Sequence, residues 1–182
     1  MPKGAGNTHM GGCNLATQFI NKCHLTNATR TLQFSSFAFD ASVLEIIPSL
    51  CSGAALYLIE SSSVRLDPLA LGDFIQKSQI SHAYIPPVML SVMKRENLLS
   101  LVTLMVGGEA SSTALMNQYS LHCQVLNCYG PTETAVCVTI AGPLCIQMDA
   151  AARVPIGRPI QNTQIYILDA ALNPLPVGVV GE

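Results

Sequence analysis

NCYGPTETAV, residues 127–136, places an amide, a tyrosine, a Gly-Pro pair and a Thr-Glu pair within ten positions. Gly130 and Pro131 make this stretch a turn rather than the middle of a helix or strand. The preceding QVL (124–126) reads as the end of a buried strand. Tyr129, Thr132 and Glu133 then fall on a loop at the C-terminal edge of a strand, where open α/β sheets bind ligands. A solvated turn accounts for the local chemistry equally well. The rest of the chain has to decide.

Outward from this turn the chain alternates strand and helix patterns. LVTLMV (101–106) is the clearest strand, followed by GGEA (107–110) and a helix from about Ser111. HAYI (82–85) reads as a strand, and Pro86-Pro87 opens the next helix. Asp67-Pro68 supplies an N-cap and a first-turn proline for a helix running to about Lys77. ALYLIE (55–60) is a short buried strand. SVLE (42–45) matches a capping box, so a helix should start near Asp40–Ser42 and end by Gly53, with Pro48 as a kink or early stop. TLQFSSF (31–37) is strand-like, and Leu15, Phe19 and Cys23 form a helical stripe within 14–25. Residues 1–12 read as a Gly-rich loop. Beyond the turn, a Pro-rich connector leads to TQIYILD (163–169), which begins something new.

This order predicts the α/β class: a mainly parallel sheet with covering helices, joined by right-handed crossovers. It also predicts a partial core over 1–150 and the start of a β-rich subdomain over 151–182. No internal repeat or low-complexity tract interrupts the pattern.

Composition narrows the function. Charged residues are 11% of the 182, hydrophobic residues 49%, where ordinary soluble domains carry about 25% charge. Such a chain reads as the interior of a larger soluble protein. The longest apolar stretch, 98–106, falls short of the ~20 residues of a membrane span, which argues against a membrane partner. A net charge of −2 gives no electrostatic case for nucleic acid. The start lacks the apolar region of a signal peptide, and seven cysteines form no CxxC pair, so reduced thiols in a cytoplasmic protein are expected. His122, Cys123 and Cys128 lack the spacing of a zinc site.

FAFDASVLE (37–45), NCYGPTETA (127–135) and PIGRPIQNTQIYILD (155–169) together resemble the adenylation domain of a nonribosomal peptide synthetase, in the adenylate-forming superfamily. PKG (2–4) resembles the end of the family's phosphate loop, with Lys3 its one charge, and PVGVVGE (176–182) the beginning of its next motif. The resemblance covers the whole chain in order and places it in the large N-terminal subdomain. It implies attack of an amino-acid carboxylate on the α-phosphate of ATP, giving aminoacyl-AMP and pyrophosphate, and transfer to a carrier thiol. The implied cofactors are ATP, Mg²⁺ and phosphopantetheine on a partner carrier domain. The implied partners are peptidyl carrier and condensation domains.

Residue by residue, the resemblance implies that Asn127 bonds the adenine edge and Tyr129 lies against its face, with Gly107, Gly108 and Gly130 allowing close approach. Thr132 approaches the α-phosphate and Glu133 ligates Mg²⁺, the two catalytic candidates. A core role is the competing reading of Tyr129. Asp40 is implied to pair with the substrate α-ammonium, against an N-cap role as the alternative. Asp40, Ala41, Leu44, Tyr84, Met105, Gly107, Cys128, Val136 and Cys137 align with pocket-lining positions. Apart from Asp40 they are apolar or weakly polar, which predicts a hydrophobic α-amino acid. Glu109 is not expected to be catalytic, and Arg158 reads as surface or structural. The Ser/Thr/Gly part of the phosphate loop, the ribose aspartate and the catalytic lysine are expected outside these residues, so the chain reads as a central fragment that does not catalyse alone. An acyl- or aryl-acid ligase of the same superfamily and a non-catalytic remnant are the alternatives.

Overall fold

A computed structural model describes residues 4–144 and 152–182. Pro2, Lys3, Cys145 and the expected subdomain boundary at 150 lie outside the described residues. The sheet has seven strands among them: β1 (Arg30–Gln33), β2 (Ala55–Leu58), β3 (His82–Tyr84), β4 (Thr103–Gly107), β5 (Gln124–Tyr129), β6 (Thr139–Ala141) and β7 (Arg158–Pro159). They lie in the order β2-β1-β3-β4-β5-β6-β7. The pairings from β2 through β5 are parallel, and β6 and β7 add antiparallel. Helices α1 (His9–Cys23), α2 (Ala41–Cys51), α3 (Ser62–Leu66), α4 (Pro68–Lys77), α5 (Pro87–Leu90) and α6 (Thr113–Ser120) connect and cover it.

The strands sort their side chains by the two-residue period of the pleat. Ala83, Leu104, Val106 and Val125 face one apolar core with Leu71 and Ile75 of α4 and Met116 and Tyr119 of α6. Tyr84, Met105, Leu126 and Cys128 face the other, with Leu15, Phe19 and Cys23 of α1 and Leu44 of α2. Burial on both faces is what a parallel sheet requires, and it explains the near-continuous apolar strands.

Caps set most helix starts. The Asp67 carboxylate accepts from Leu69 and Ala70 N–H with Pro68 in the first turn, as the sequence predicts. Ser112 caps α6 and Thr8 caps α1. The Thr8 cap carries α1 through two glycines, so helix begins inside the stretch that reads as loop. The capping box at 42–45 does not form. The Ser42 hydroxyl donates to Phe39 O, and the Glu45 carboxylate is turned inward onto Ser35. Pro48 is accommodated within α2, which runs on to Cys51. The strand pattern at 31–37 ends early at Gln33, because residues 34–40 form a strap from β1 to α2. No helix among the described residues is long and apolar enough to cross a membrane.

Candidate functional site

The strand order reverses direction at β1, from which the chain goes to β2 on one side and β3 on the other. At such a switch point the loops after neighbouring strands diverge and leave a crevice at their C-terminal ends. A cavity of about 550 Å³ lies there. Its walls are the strap after β1 (Phe34, Ser35, Ser36, Phe39, Asp40), the end of β3 (Tyr84, Pro86), Ser62, Arg65 and Leu66 of α3, and the turn after β4 (Gly107–Glu109).

A second cavity, about 710 Å³, opens beyond the same turn. Gly108 and Glu109 line both cavities. The second is otherwise bounded by Ala110–Thr113, by Asn127, Cys128, Tyr129 and Gly130, and by Ala152, Arg153, Val154 and Ile156. Gly108 has φ +83, a conformation suited to glycine, and a side chain there would press on the Tyr84 hydroxyl. At Gly107 a Cβ would run into the Cys128 carbonyl on the next strand. The glycines therefore let β4 and β5 end side by side between the two spaces.

Asp40 stands at the start of α2 but makes no side-chain cap hydrogen bond. The N-cap role is not what holds it, and Asp40 is among the residues lining the first cavity. Of the nine expected pocket residues, Asp40, Ala41, Tyr84 and Gly107 face that cavity. Leu44, Met105, Cys128 and Cys137 are buried in the adjoining apolar cluster, with Val136 against it. Tyr84 belongs both to that cluster and to the cavity lining, so residues spread over nearly a hundred positions meet in one apolar cluster beside the cavity. The Cys128 thiol contacts Cys137, and that hydrogen bond together with burial pushes it well above the ordinary thiol range. Burial likewise pushes Cys23 up to about 12 and Cys123 up to about 11. All six described cysteines are free, although Cys13 and Cys51 are exposed rather than buried.

Tyr129 lies within β5, with Asn127, rather than on the loop beyond it, since pairing with β6 prolongs the strand. Asn127 is buried, and its Nδ2 donates to Pro155 O at 2.8 Å. Tyr129 is 50% exposed, which removes it from the core. Thr132 and Glu133 occupy a short 3-10 turn, Thr132–Thr134, past Gly130. Both are exposed and line neither cavity. Glu109 accepts from Val88 N–H at 2.9 Å and so helps hold the start of α5, in line with a structural role.

Three residues near these spaces escaped the sequence reading. Arg65 lines the first cavity with a buried Nε that has no hydrogen-bond partner among the described residues. Glu45 is fully buried behind the strap. Asn7 brackets the 3-10 turn, donating to Thr132 O at 2.8 Å and accepting from Ala135 N at 3.0 Å. Only the inward Glu of FDASVLE carried a local signal, and the capping-box pattern masked it.

The comparisons with known proteins agree with this geometry. A family model described as AMP-binding enzyme matches residues 1–182. The chain is 38% identical over 181 residues to bacitracin synthase 3 of Bacillus licheniformis, covering all of this chain and 3% of that protein. It is 38% identical over 181 residues to tyrocidine synthase 1 of Brevibacillus parabrevis, again over its whole length, and spans 16% of that protein. The nonribosomal peptide synthetase FmoA3 superposes with a TM-score of 0.87 at 26% identity, over 95% of this chain and 19% of that one. A holo four-domain nonribosomal peptide synthetase crystallised with AMP and glycine gives 0.83 at 29% identity, over 99% of this chain and 14% of that one. The chain belongs to the AMP-binding enzyme family, the adenylate-forming superfamily that includes the adenylation domains of nonribosomal peptide synthetases.

Proposed function

We propose that the complete domain containing this chain joins a hydrophobic α-amino acid to ATP, forming aminoacyl-AMP. It then passes the aminoacyl group to the phosphopantetheine thiol of a peptidyl carrier domain, alongside condensation domains of one cytoplasmic synthetase. The activity is proposed for the complete domain, not for these 182 residues alone. Residues 1–150 are assigned to the α/β core and 151–182 to the start of a β-rich subdomain.

The observation that carries the reading is the pair of cavities meeting at Gly108–Glu109, one with Asp40 in its wall and the other with Asn127 and Tyr129. A zwitterion and a nucleotide placed in them bring their reacting ends to the shared turn. An oxygen of the amino-acid carboxylate attacks the α-phosphorus of ATP. The bond from that phosphorus to the bridging oxygen breaks, and pyrophosphate leaves with the electron pair. Asp40 holds the α-ammonium, Asn127 reads the adenine edge and Tyr129 covers its face. Ala41, Tyr84 and Gly107 in the lining, backed by the apolar cluster of Leu44, Met105, Cys128, Val136 and Cys137, suit an uncharged side chain. Thr132, on the exposed turn beyond Gly130, is assigned to the α-phosphate.

Glu133 would hold Mg²⁺, which when bound neutralises charge on the phosphate oxygens. The donor fits: Glu133 is an exposed carboxylate, a hard oxygen ligand. Mg²⁺ takes one or two carboxylates and completes its shell with phosphate and water.

Asp40→Ala in the complete domain tests the reading. Leaving the ammonium without its partner costs about 3–5 kcal/mol, so amino-acid-dependent pyrophosphate exchange should collapse while ATP binding persists. Exchange at the wild-type rate would refute the assignment of Asp40 as the ammonium partner, whereas an acyl- or aryl-acid ligase would show no amino-acid-dependent exchange even with Asp40 in place.

A further inference from the structure

Among the described residues Glu45 is the one carboxylate that is wholly buried, at 0% exposure, and the proposed chemistry does not use it. Its oxygens accept from Ser35 N–H at 3.0 Å and from the Ser35 hydroxyl at 2.9 Å, and Gln33 Nε2 approaches at 3.4 Å. Gln33 also donates to Ser35 O. Every one of these donors belongs to the exit of β1, and no cation among the described residues is paired with it. Arg30, the cation on β1, is committed to Ser78 O and the face of Tyr57. Of the other titratable groups on the elements round α2, Lys22 and Cys23 lie on α1 and His82 is bonded to Cys23 O and Ser81. Tyr84 on β3 feels the Glu45 charge, along with Cys128, Asp40 and Cys137.

Toward α2 the strap from Ser35 to Asp40 is held by Ser42, whose N–H and hydroxyl donate to Phe39 O, and at its β1 end the side-chain contact is Glu45 on Ser35. Phe37 and Phe39 within it are 78% and 68% exposed and contribute little packing. We propose that Glu45 is a positioning residue: by binding Ser35 from the second turn of α2, it closes the strap and fixes the Asp40 carboxylate at the wall of the first cavity. The proposal rests on the reading of Asp40 as the ammonium partner. Burial pushes the Glu45 carboxyl up to about 7, so the clamp loosens as the pH falls through that value. Protonation turns one of its two acceptor oxygens into a donor facing donors.

In the complete domain, Glu45→Gln should raise the amino-acid KM about ten- to hundredfold, the scale of a small misplacement of a binding group. The KM for ATP should be unchanged and kcat should move less. The wild-type amino-acid KM should climb as pH drops from about 7.5 to 6, the window in which Glu45 takes up its proton. In Glu45→Gln that climb should be absent. Ser35→Ala removes one donor and keeps the backbone bond, so it should raise the same KM about fivefold. It carries the test if Glu45→Gln does not fold. Asp40→Ala, run beside them, separates the failures. If Asp40→Ala is impaired while folded Glu45→Gln or Ser35→Ala keeps the wild-type amino-acid KM, the positioning role is overturned. A parallel rise in the KM for ATP overturns it too. If Asp40→Ala itself is unimpaired, the reading of Asp40 fails and the positioning role falls with it.

Discussion

Asn7→Ala isolates the support of the turn that carries Thr132 and Glu133. Asn7 lies 125 residues before Thr132 and spans the turn with two hydrogen bonds, to Thr132 O and from Ala135 N. Ala135 and Val136, which follow the turn, have φ of 59° and 74°. That region costs a residue with a Cβ roughly 1–2 kcal/mol, and a β-branched side chain is a poor occupant. The turn therefore needs outside support. Each hydrogen bond contributes about 0.5–1.5 kcal/mol, and because both are exposed a combined loss of about 1–2 kcal/mol is expected. That corresponds to roughly a five- to thirtyfold fall in the equilibrium constant for the native turn, and to a fall of up to that size in its population where the turn is marginal. In pyrophosphate exchange by the complete domain, Asn7→Ala should lower kcat and raise the Mg²⁺ concentration for half-maximal rate by factors in that range. The amino-acid KM should hold. Asn7→Asp keeps the acceptor for Ala135 and loses the donor to Thr132, so it should fall between. Thermal melts should shift by no more than a few degrees, since no buried contact is removed. Wild-type kcat and Mg²⁺ response in Asn7→Ala would refute the argument, leaving the turn held by the bonds of Thr134 to Pro131 O.

Two further outcomes concern stability. At Gly130 a Cβ would sit 2.6 Å from Val136 O and 2.7 Å from Cys137 Cα. Backbone atoms cannot yield, so Gly130→Ala should destabilise by about 1–3 kcal/mol in denaturant unfolding. Gly12→Ala, with open space at its Cβ inside α1, should not destabilise, and equal behaviour of the pair would refute the packing argument. Glu45 has a carboxyl raised from 4.5 to about 7. Its contribution to stability is full below about pH 4.5 and is lost as pH rises through about 7, amounting to about 3 kcal/mol. Urea unfolding should then show the wild type losing stability between those values, with Glu45→Gln losing less. A wild-type profile that is flat there would contradict the burial of an ionised Glu45. Stability and substrate affinity are thus expected to move in opposite directions with pH.

The amino-acid order by itself determined the α/β class, because each strand and helix carries its own period and the caps at Asp67-Pro68 and near Ser111 are local. Through the resemblance it also singled out Asp40, Asn127, Tyr129, Thr132 and Glu133 as candidates, since whole motifs stand in contiguous stretches. What only the tertiary structure decided is which distant groups meet. Strand order placed the strap after β1 beside the ends of β3 and β4, and so put Asp40, Tyr84 and Gly107 round one cavity. Pairing with β6 prolonged β5 to Tyr129, where sequence alone had placed a loop. The capping-box pattern at 42–45 misled because Ser35, ten residues away along the strap, offers Glu45 better donors than the helix start does. Asn7 gave no signal, because its partners are main-chain groups more than 120 residues along. A periodic pattern is a property of neighbours in the chain. A clamp is a property of neighbours in space, which folding alone brings together.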